Sequence, residues 1–216
     1  KPSTLVANAP SMPAPPDPTI FHITHVDNLA SILREGGLWC DRQRIDRGVG
    51  NTNIGYKHIK QRRLACDVRT RAGGKLGDYV PFNFCSRSVM LYVIHRGHSD
   101  YSGGQADVVH LVSTVSRAVA VGRPWAFSDR HAELAYARHF DDLTDLDEVP
   151  WAVMAERYWT SVKEERQAEF LVHDFFPWTA VDAVHVMNQA TYGRAIATIQ
   201  GSAYQPPVVI SPEWYY

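Results

Sequence analysis

The alternation of apolar and polar residues between positions 167 and 172 predicts a β-strand. Apolar residues at the even positions alternate with a mainly polar set at the odd positions, which is typical of a half-buried strand. This strand is expected to end before a corner at 175–177. Because side chains repeat every two residues along a strand, Gln167 and Glu169 are expected to leave the sheet on the same face.

A carboxylate beside a carboxamide on one strand face suits chemistry at a sugar. The Glu169 carboxylate can accept a hydrogen bond from a ribose hydroxyl, and its charge can stabilise an oxocarbenium-like transition state. The Gln167 amide can orient a second reactant. An edge strand with a solvated polar face gives the same Q-x-E pattern more often, so this motif alone does not assign a function.

The first folded segment predicts a strand followed by a helix. A short strand is expected at 20–23, and Thr24 or Asp27 is expected to cap a helix that stops at the glycine pair 36–37. The free amide groups at the start of this helix favour a pyrophosphate or another anion. His22 could then contact a nucleotide from the strand, although a structural histidine is the commoner alternative.

The periodicity of the other segments predicts a mixture of strands and helices, and therefore an α/β or α+β domain. The remaining predicted strands cover 78–85, 91–95, 108–114, 118–121, 183–187 and 208–210. The predicted helices cover 56–64, 129–140 and 189–199, with helical spacing of apolar residues also at 151–158. Tyr79, Phe82 and Phe84 could stack on a flat ligand such as nicotinamide, although core packing is the commoner use of such residues.

The length of 216 residues fits a single domain. Residues 1–19 are rich in proline, which blocks helices and sheet ladders, and they predict an extended or disordered lead-in to a domain at 20–216. The sequence contains no long uncharged apolar run of the kind that forms a membrane span or a signal peptide. We therefore expect a cytoplasmic protein without a membrane partner.

The charge of the chain is nearly balanced overall, at −1, but cations are concentrated between positions 40 and 75. Most charge runs are solvated surfaces, yet a local excess of this kind is also typical of a phosphate-binding face. The candidates for such contacts are Arg42, Arg44, Arg62, Arg69 and Lys75. The three cysteines, Cys40, Cys66 and Cys85, lack the spacing of a disulfide framework or a zinc site, and we expect no metal.

Several motifs occur together in a recognisable order. They are F-H-I-T-H-V-D-N-L at 21–29, V-P-F-N-F-C-S-R-S-V-M-L-Y at 80–92, G-H-S-D-Y-S-G-G-Q at 97–105, S-D-R-H-A at 128–132, R-Q-A-E-F-L-V at 166–172 and a terminal W-Y-Y. This combination resembles the DarT family, bacterial toxins that transfer ADP-ribose from NAD⁺ onto bases of single-stranded DNA. The resemblance implies an α+β fold with a split, mostly antiparallel central sheet flanked by helices.

The resemblance also implies roles for individual residues. Glu169 matches the catalytic glutamate, and the family's functional arginine corresponds to Arg62 or Arg63, of which Arg63 is favoured. The residues expected at the NAD⁺ site are His22, Thr24, Asn28, Tyr79, Met90 and Gln167. His131 is expected near the DNA or the ADP-ribose, and phosphate contacts are expected from Arg42, Arg44, Arg62, Arg69 and Lys75.

The function implied is that of a toxin which modifies single-stranded DNA, with thymine as the favoured base and NAD⁺ as co-substrate. The alternatives are the same transfer to guanine, RNA or protein, and a nucleotide-binding or nucleic-acid-binding module without catalysis. The resemblance further implies an antitoxin with ADP-ribosyl-hydrolase (macrodomain) activity. We expect the protein itself to be a monomer.

Overall fold

The fold is seen in a computed structural model that describes residues 12–216, and two sheets form its framework. The strands are β1 (Thr19–His25), β2 (Gly37–Trp39), β3 (Tyr79–Asn83), β4 (Val108–Thr114), β5 (Trp125–Ser128), β6 (His139–Phe140), β7 (Glu169–His173), β8 (Phe175–Pro177), β9 (Ala183–Val186) and β10 (Val208–Ile210). The helices are α1 (Asn28–Glu35), α2 (Asp41–Asp46), α3 (Lys57–Arg63), α4 (Val89–Arg96), α5 (Val115–Ala120), α6 (Trp151–Ala155) and α7 (Gln189–Ile199).

The central sheet is split between β1 and β3. Its strand order is β10-β9-β4-β1-β3-β7-β5-β6, and every pair is antiparallel except the parallel pair β9 and β10. The β1 and β4 strands pair along seven residues, but β1 meets β3 at a single pair, Phe21 and Asn83. Pro81 has no N–H group to donate to β1. The expected α+β fold with a mostly antiparallel sheet is confirmed.

The start of the chain differs in part from the predicted lead-in at 1–19. Residues 1–11 lie outside the described part. Residues 12–18 have no regular secondary structure, but they lie against the domain: the Ala14 N–H donates to Asp147 Oδ1 at 2.7 Å, and Asp17 accepts from the Ser116 hydroxyl at 2.7 Å. Of the two predicted alternatives, extended or disordered, these contacts fit an extended segment, because prolines that cannot join a ladder still leave neighbouring polar groups able to bind the body of the domain.

The segment predicted as a strand at 91–95 is the helix α4. Ser88 caps this helix, since its hydroxyl accepts the Leu91 N–H at 3.2 Å, and Val89, Leu91 and Ile94 are buried. The strand prediction was wrong because a short apolar run fits both periods, and the capping serine decides between them.

Two further predictions of secondary structure are wrong. The strand expected at 118–121 belongs to the helix α5, whose start is capped by Thr114. The helix expected at 129–140 is a looped segment that ends in β6, because the Asp129 carboxylate accepts from both the main-chain N–H (2.9 Å) and the side chain (3.0 Å) of Arg138. This contact with Arg138 occupies the Asp129 carboxylate, which would otherwise cap a helix.

The other predicted strands and helices agree closely with the structure, and α7 and β10 match the predicted bounds. The elements β2, α2, β5 and β8 were not predicted, and β8 occupies the corner expected at 175–177. The largest apolar cluster packs the inner face of the sheet against α1, α6 and α7, and Phe82, Phe170 and Phe176 are fully buried in it. None of the helices described within 12–216 has the length and apolarity needed to cross a membrane.

The close packing of β2 against β8 provides a test of the fold. An added Cβ at Gly37 would overlap the Phe176 carbonyl and lie 2.8 Å from the Cα of Pro177. We expect Gly37→Ala to lower the free energy of unfolding by about 1–3 kcal/mol in urea denaturation. The control is Gly50→Ala, where the added methyl meets no atom within 4 Å and the change should stay within about 0.5 kcal/mol. Equal stability of the two variants would contradict this packing.

Candidate active site

A cavity of about 350 Å³ opens where the two halves of the central sheet separate. Residues from β1, β3, β7, α2 and α3 line it, among them His22, Pro81, Glu169, Asp41 and Lys60. Its volume lies in the range of small-molecule and cofactor sites. The geometry of its polar groups therefore decides which ligand fits.

A buried ion pair joins α3 to β7 at this cavity. Arg63, the last residue of α3, binds Glu169, the first residue of β7, through two parallel contacts of 2.8 and 3.0 Å. The two side chains are 11% and 9% exposed. Burial opposes the charge on Arg63, but the adjacent Glu169 carboxylate outweighs burial and raises the pKa of the guanidinium. This arrangement holds a carboxylate in a fixed orientation at the cavity wall.

A second charged group lies elsewhere in the cavity wall. One oxygen of Asp41 lies 3.3 Å from Lys60 Nζ and 3.4 Å from an Arg44 nitrogen. Burial lowers the pKa of Lys60, whereas the Asp41 pKa lies below its ordinary value because the two cations outweigh the effect of its own burial. Two cations share one carboxylate, so this part of the cavity carries an excess positive charge.

Two histidines with lowered pKa values also line the cavity. The His22 Nδ1 donates to the Pro81 carbonyl at 2.8 Å, which leaves Nε2 as an acceptor. Burial lowers the pKa of both His22 and His131. Both imidazoles are therefore neutral near pH 7 and can accept a proton or a hydrogen bond.

Asn28 fixes one wall of the cavity. Its side chain donates to Thr24 Oγ1 and to the Thr52 carbonyl, both at 2.9 Å, and accepts the Thr52 N–H at 2.7 Å. Thr24 is buried behind Asn28 and is not part of the lining, so it contacts the site through that side chain. Met90 lies in the lining, as the sequence led us to expect.

Gln167 lines the cavity beside Glu169, but not from a common strand. It ends a 3₁₀ turn, and its amide donates to the Lys163 carbonyl at 3.0 Å. The strand β7 begins only at Glu169 and is buried on both faces through Val172. The predicted half-buried strand was therefore wrong, because apolar clusters pack on both faces of β7, one around Phe170 and Val172 and the other around Leu171.

Tyr79 is not part of the cavity lining. Its ring packs in a separate cluster with Val68, Leu76 and Leu171, and its hydroxyl donates to the Gly73 carbonyl at 2.6 Å. The predicted contact of this ring with nicotinamide does not fit its position. Phe82 and Phe84 are core residues as well.

The cations expected to contact DNA are mostly paired within the domain. Arg42 binds Asp78, Arg62 binds Glu133 at 2.9 Å, Lys75 binds Asp67 at 2.6 Å and Arg69 donates to main-chain carbonyls including that of Ala135 at 3.1 Å. Arg44 points to the cavity. Acids within the domain therefore partner most of these cations, at separations from 8 residues for Lys75 to 71 residues for Arg62.

The sequence analysis missed Asp41 and Lys60. It left Arg62 and Arg63 as alternatives, and the structure separates them, since Arg62 is 59% exposed and Arg63 points inward. The spacing of three residues between Lys60 and Arg63 puts them on one helix face, and this was the available signal. No local pattern identifies Asp41 as the partner of Lys60, because the two residues belong to different helices.

Comparison with known proteins gives one consistent result. The family model described as "ssDNA thymidine ADP-ribosyltransferase, DarT" matches residues 21–216. The DNA ADP-ribosyl transferase of Thermus sp. (strain 2.9) is 40% identical over 207 residues, covering 93% of this chain and 98% of that protein.

Two solved structures of Thermus sp. 2.9 DarT have the same fold. The complex with ADP-ribosylated ssDNA superposes with a TM-score of 0.91 at 38% identity, covering 95% of this chain and 100% of that one. The complex with NAD⁺ gives a TM-score of 0.86 at 37% identity, covering 94% and 99% of the two chains.

The buried ion pair can be tested by a double-mutant cycle. We expect Arg63→Ala, Glu169→Ala and the double variant to give a coupling energy of about 2 kcal/mol in urea unfolding, because both charged partners are buried and doubly hydrogen-bonded. The control cycle uses Arg71 and Asp141, which make a similar contact at 3.1 Å with Arg71 81% exposed. That pair should show no resolvable coupling. Similar coupling energies in both cycles would contradict the conclusion that burial strengthens the pair of Arg63 and Glu169.

Proposed function

The chain belongs to the DarT family of single-stranded-DNA ADP-ribosyltransferases, which use NAD⁺, and we propose that thymidine is the base it modifies and that it acts as a toxin. The family description that matches residues 21–216 names thymidine and supports this choice of base, and the bidentate pair of Arg63 and Glu169 at the cavity is the observation that supports transfer of ADP-ribose from NAD⁺. A fixed carboxylate at a cavity wall is what stabilisation of a cationic ribose requires. His22, Asn28, Met90 and Gln167 complete the proposed NAD⁺ site.

The charges of the cavity support one orientation of NAD⁺. The pyrophosphate is anionic and the nicotinamide ring is cationic, so the two ends of NAD⁺ prefer opposite surroundings. Lys60 and Arg44 share one Asp41 oxygen, and their excess charge suits the pyrophosphate. The nicotinamide ribose then lies beside Glu169. Thr24 supports this site indirectly by holding Asn28.

The proposed reaction exchanges one bond at the anomeric carbon for another. The bond from C1′ of the ribose to the nicotinamide nitrogen breaks, nicotinamide leaves with the bonding electrons, and a ring nitrogen of the base forms the new bond. Glu169 accepts a hydrogen bond from a ribose hydroxyl and stabilises the positive charge on the sugar. Arg63 occupies one lone pair on each Glu169 oxygen, and a second lone pair on each oxygen is still free for the hydroxyl.

Thymine imposes a further requirement, because its imide nitrogen carries a proton that must leave. His131 is a cavity imidazole whose pKa is lowered by burial, so at neutral pH it is free to take that proton. Arg63 keeps its charge under all ordinary conditions and is suited to stabilise the thymine anion rather than to act as the base. We therefore assign proton uptake to His131 and charge stabilisation to Arg63.

The paired cations support weak binding of the DNA strand. Arg42, Arg62 and Lys75 each have a carboxylate partner, so a phosphate must compete with that partner for each contact. Arg69 and Arg44 are likewise held by internal contacts. Binding of this kind is sensitive to salt, and it favours a strand that is retained mainly by the base in the cavity.

ADP-ribose on a template base is a bulky adduct that interferes with pairing, so unrestrained transfer would harm the cell that makes the enzyme. We therefore propose an antitoxin partner that removes the modification, a macrodomain with ADP-ribosyl-hydrolase activity. The proposed setting is the cytoplasm, where NAD⁺ and single-stranded DNA are both present, and the proposed toxin acts there as a monomer.

The acceptor can be identified with four single-stranded oligonucleotides, each lacking one of the four bases. After incubation with NAD⁺, we expect mass spectrometry to show one added ADP-ribose unit on every oligonucleotide except the one without thymine. Glu169→Gln should reduce transfer by at least about 100-fold, because it removes the charge that stabilises the transition state. Loss of the signal only from the guanine-free strand would reassign the base, and modification of RNA or protein alone would reject DNA as the acceptor.

The proposed orientation of NAD⁺ can be tested at Lys60. We expect Lys60→Met to raise the KM for NAD⁺ roughly tenfold with a smaller effect on kcat, because the pyrophosphate is bound in both the ground state and the transition state. Lys57→Met is the matched control, since Lys57 is an exposed residue of the same helix. An unchanged KM in Lys60→Met, or an equal rise in the control, would contradict this orientation.

A further inference from the structure

The helix α3, which carries Lys60 and Arg63, lacks stabilising groups of its own at its N-terminus. The preceding residue, Tyr56, gives no side-chain cap, and the first turn of α3 contains no acidic residue but does contain Lys57 and His58. No residue of α3 before Arg63 is buried. A helix of this length is marginal by itself, and cations at its start oppose the helix dipole. Its position must therefore come from contacts with other segments.

Asp100 supplies such a contact from a distant loop. Its Oδ2 accepts the main-chain N–H of Lys57, the first residue of α3, at 2.9 Å across 43 positions of sequence. A carboxylate at this place satisfies a free N–H of the helix and complements its dipole. Asp100 thus does for α3 what a local capping residue does for α4 and α7.

The loop that carries Asp100 is itself held in place. The His98 Nδ1 accepts the Asp100 N–H at 3.3 Å, while the His98 Nε2 donates to the Ile54 carbonyl at 3.1 Å. The ring of Tyr56 packs on the His98 ring with centroids 4.3 Å apart, and Tyr101 is buried in an apolar cluster. The loop is therefore fastened both to the core and to the segment that leads into α3.

We infer that Asp100 is a positioning residue for ADP-ribosyl transfer, acting through α3 on Arg63 and thereby on Glu169. Arg63 lies six residues after Lys57, about 9 Å along the helix axis, so movement at the helix start displaces the guanidinium at its end. This inference rests on the function proposed for Arg63 and Glu169. It gives the motif at 97–105 a role, which the proposed NAD⁺ and DNA contacts leave unassigned.

The test compares Asp100→Ala, Asp100→Asn and a control, Asn188→Ala, in the full chain. Asn188 caps α7, which lies outside the cavity lining, through a contact of 2.9 Å to the Thr191 N–H. The measurements are kcat and KM for transfer from NAD⁺, the thermal midpoint, and amide hydrogen exchange of the peptides that contain α3 and α7.

We expect Asp100→Ala to speed exchange in α3, because it removes a capping contact that stabilises the helix, and to lower kcat roughly three- to tenfold, because Arg63 is then held less firmly. Asp100→Asn should keep kcat and the exchange rate of α3 at the wild-type values, because the asparagine amide oxygen accepts the same N–H. Asn188→Ala should speed exchange in α7 and lower the thermal midpoint while kcat stays unchanged. This contrast separates positioning of the site from a general loss of stability.

A wild-type kcat in Asp100→Ala would overturn the inference, as would unchanged exchange in α3 or a kcat loss of equal size in Asn188→Ala. Failure of the proposed function is recognised separately, because the unsubstituted chain would then transfer no ADP-ribose to DNA. In that case the exchange measurement still tests whether Asp100 holds α3.

Discussion

The arrangement of α3 and β7 around the cavity depends on the contact between Arg63 and Glu169. Removing a guanidinium and a carboxylate from water is costly, and their attraction offsets that cost only when the geometry is good and the remaining polar groups are satisfied. Here the two charges meet through two short hydrogen bonds at the junction of a helix end and a strand start. The Glu169 N–H, in turn, donates to the Ser128 hydroxyl at 3.2 Å, which ties the strand start to β5. Small shifts of α3 or β7 would separate the pair.

Most cations around the cavity are paired with an acid. Arg63 pairs with Glu169 of β7, whereas Lys60 of α3 and Arg44 of α2 share Asp41, and other pairs continue across the neighbouring surface. A protein built in this way can bind an anionic ligand by exchanging one partner for another, rather than by keeping unpaired charges in the interior. The shared Asp41 oxygen is the one place in the described cavity wall where two cations rely on a single carboxylate, and it therefore favours a further anion.

The sequence predicted the long elements well, and the six motifs identified the family. The structure brings the residues that the family resemblance pointed to, Glu169, Arg63 and His22, to one cavity. Some errors arose where a short apolar run fitted both periods, and others arose from side-chain contacts that local patterns do not show. Asp129 binds Arg138 instead of capping a helix, and the acid partners of Arg62 and Arg42 lie 71 and 36 residues away. Local periodicity contains no information about such partners. The sequence therefore could not show that most cations between positions 40 and 75 are paired.

The single residue pair between β1 and β3 has a mechanical consequence. Each half of the central sheet is held together by ladders of several pairs, seven between β1 and β4 and five between β3 and β7, whereas Phe21 and Asn83 form the single ladder pair between the halves. Fewer backbone hydrogen bonds therefore resist separation at this seam than within either half. A product that stays attached to a polymer cannot diffuse away as a small molecule does, and the whole adduct must be withdrawn. The cavity lies at the junction of the described sheet where widening would break the fewest backbone hydrogen bonds.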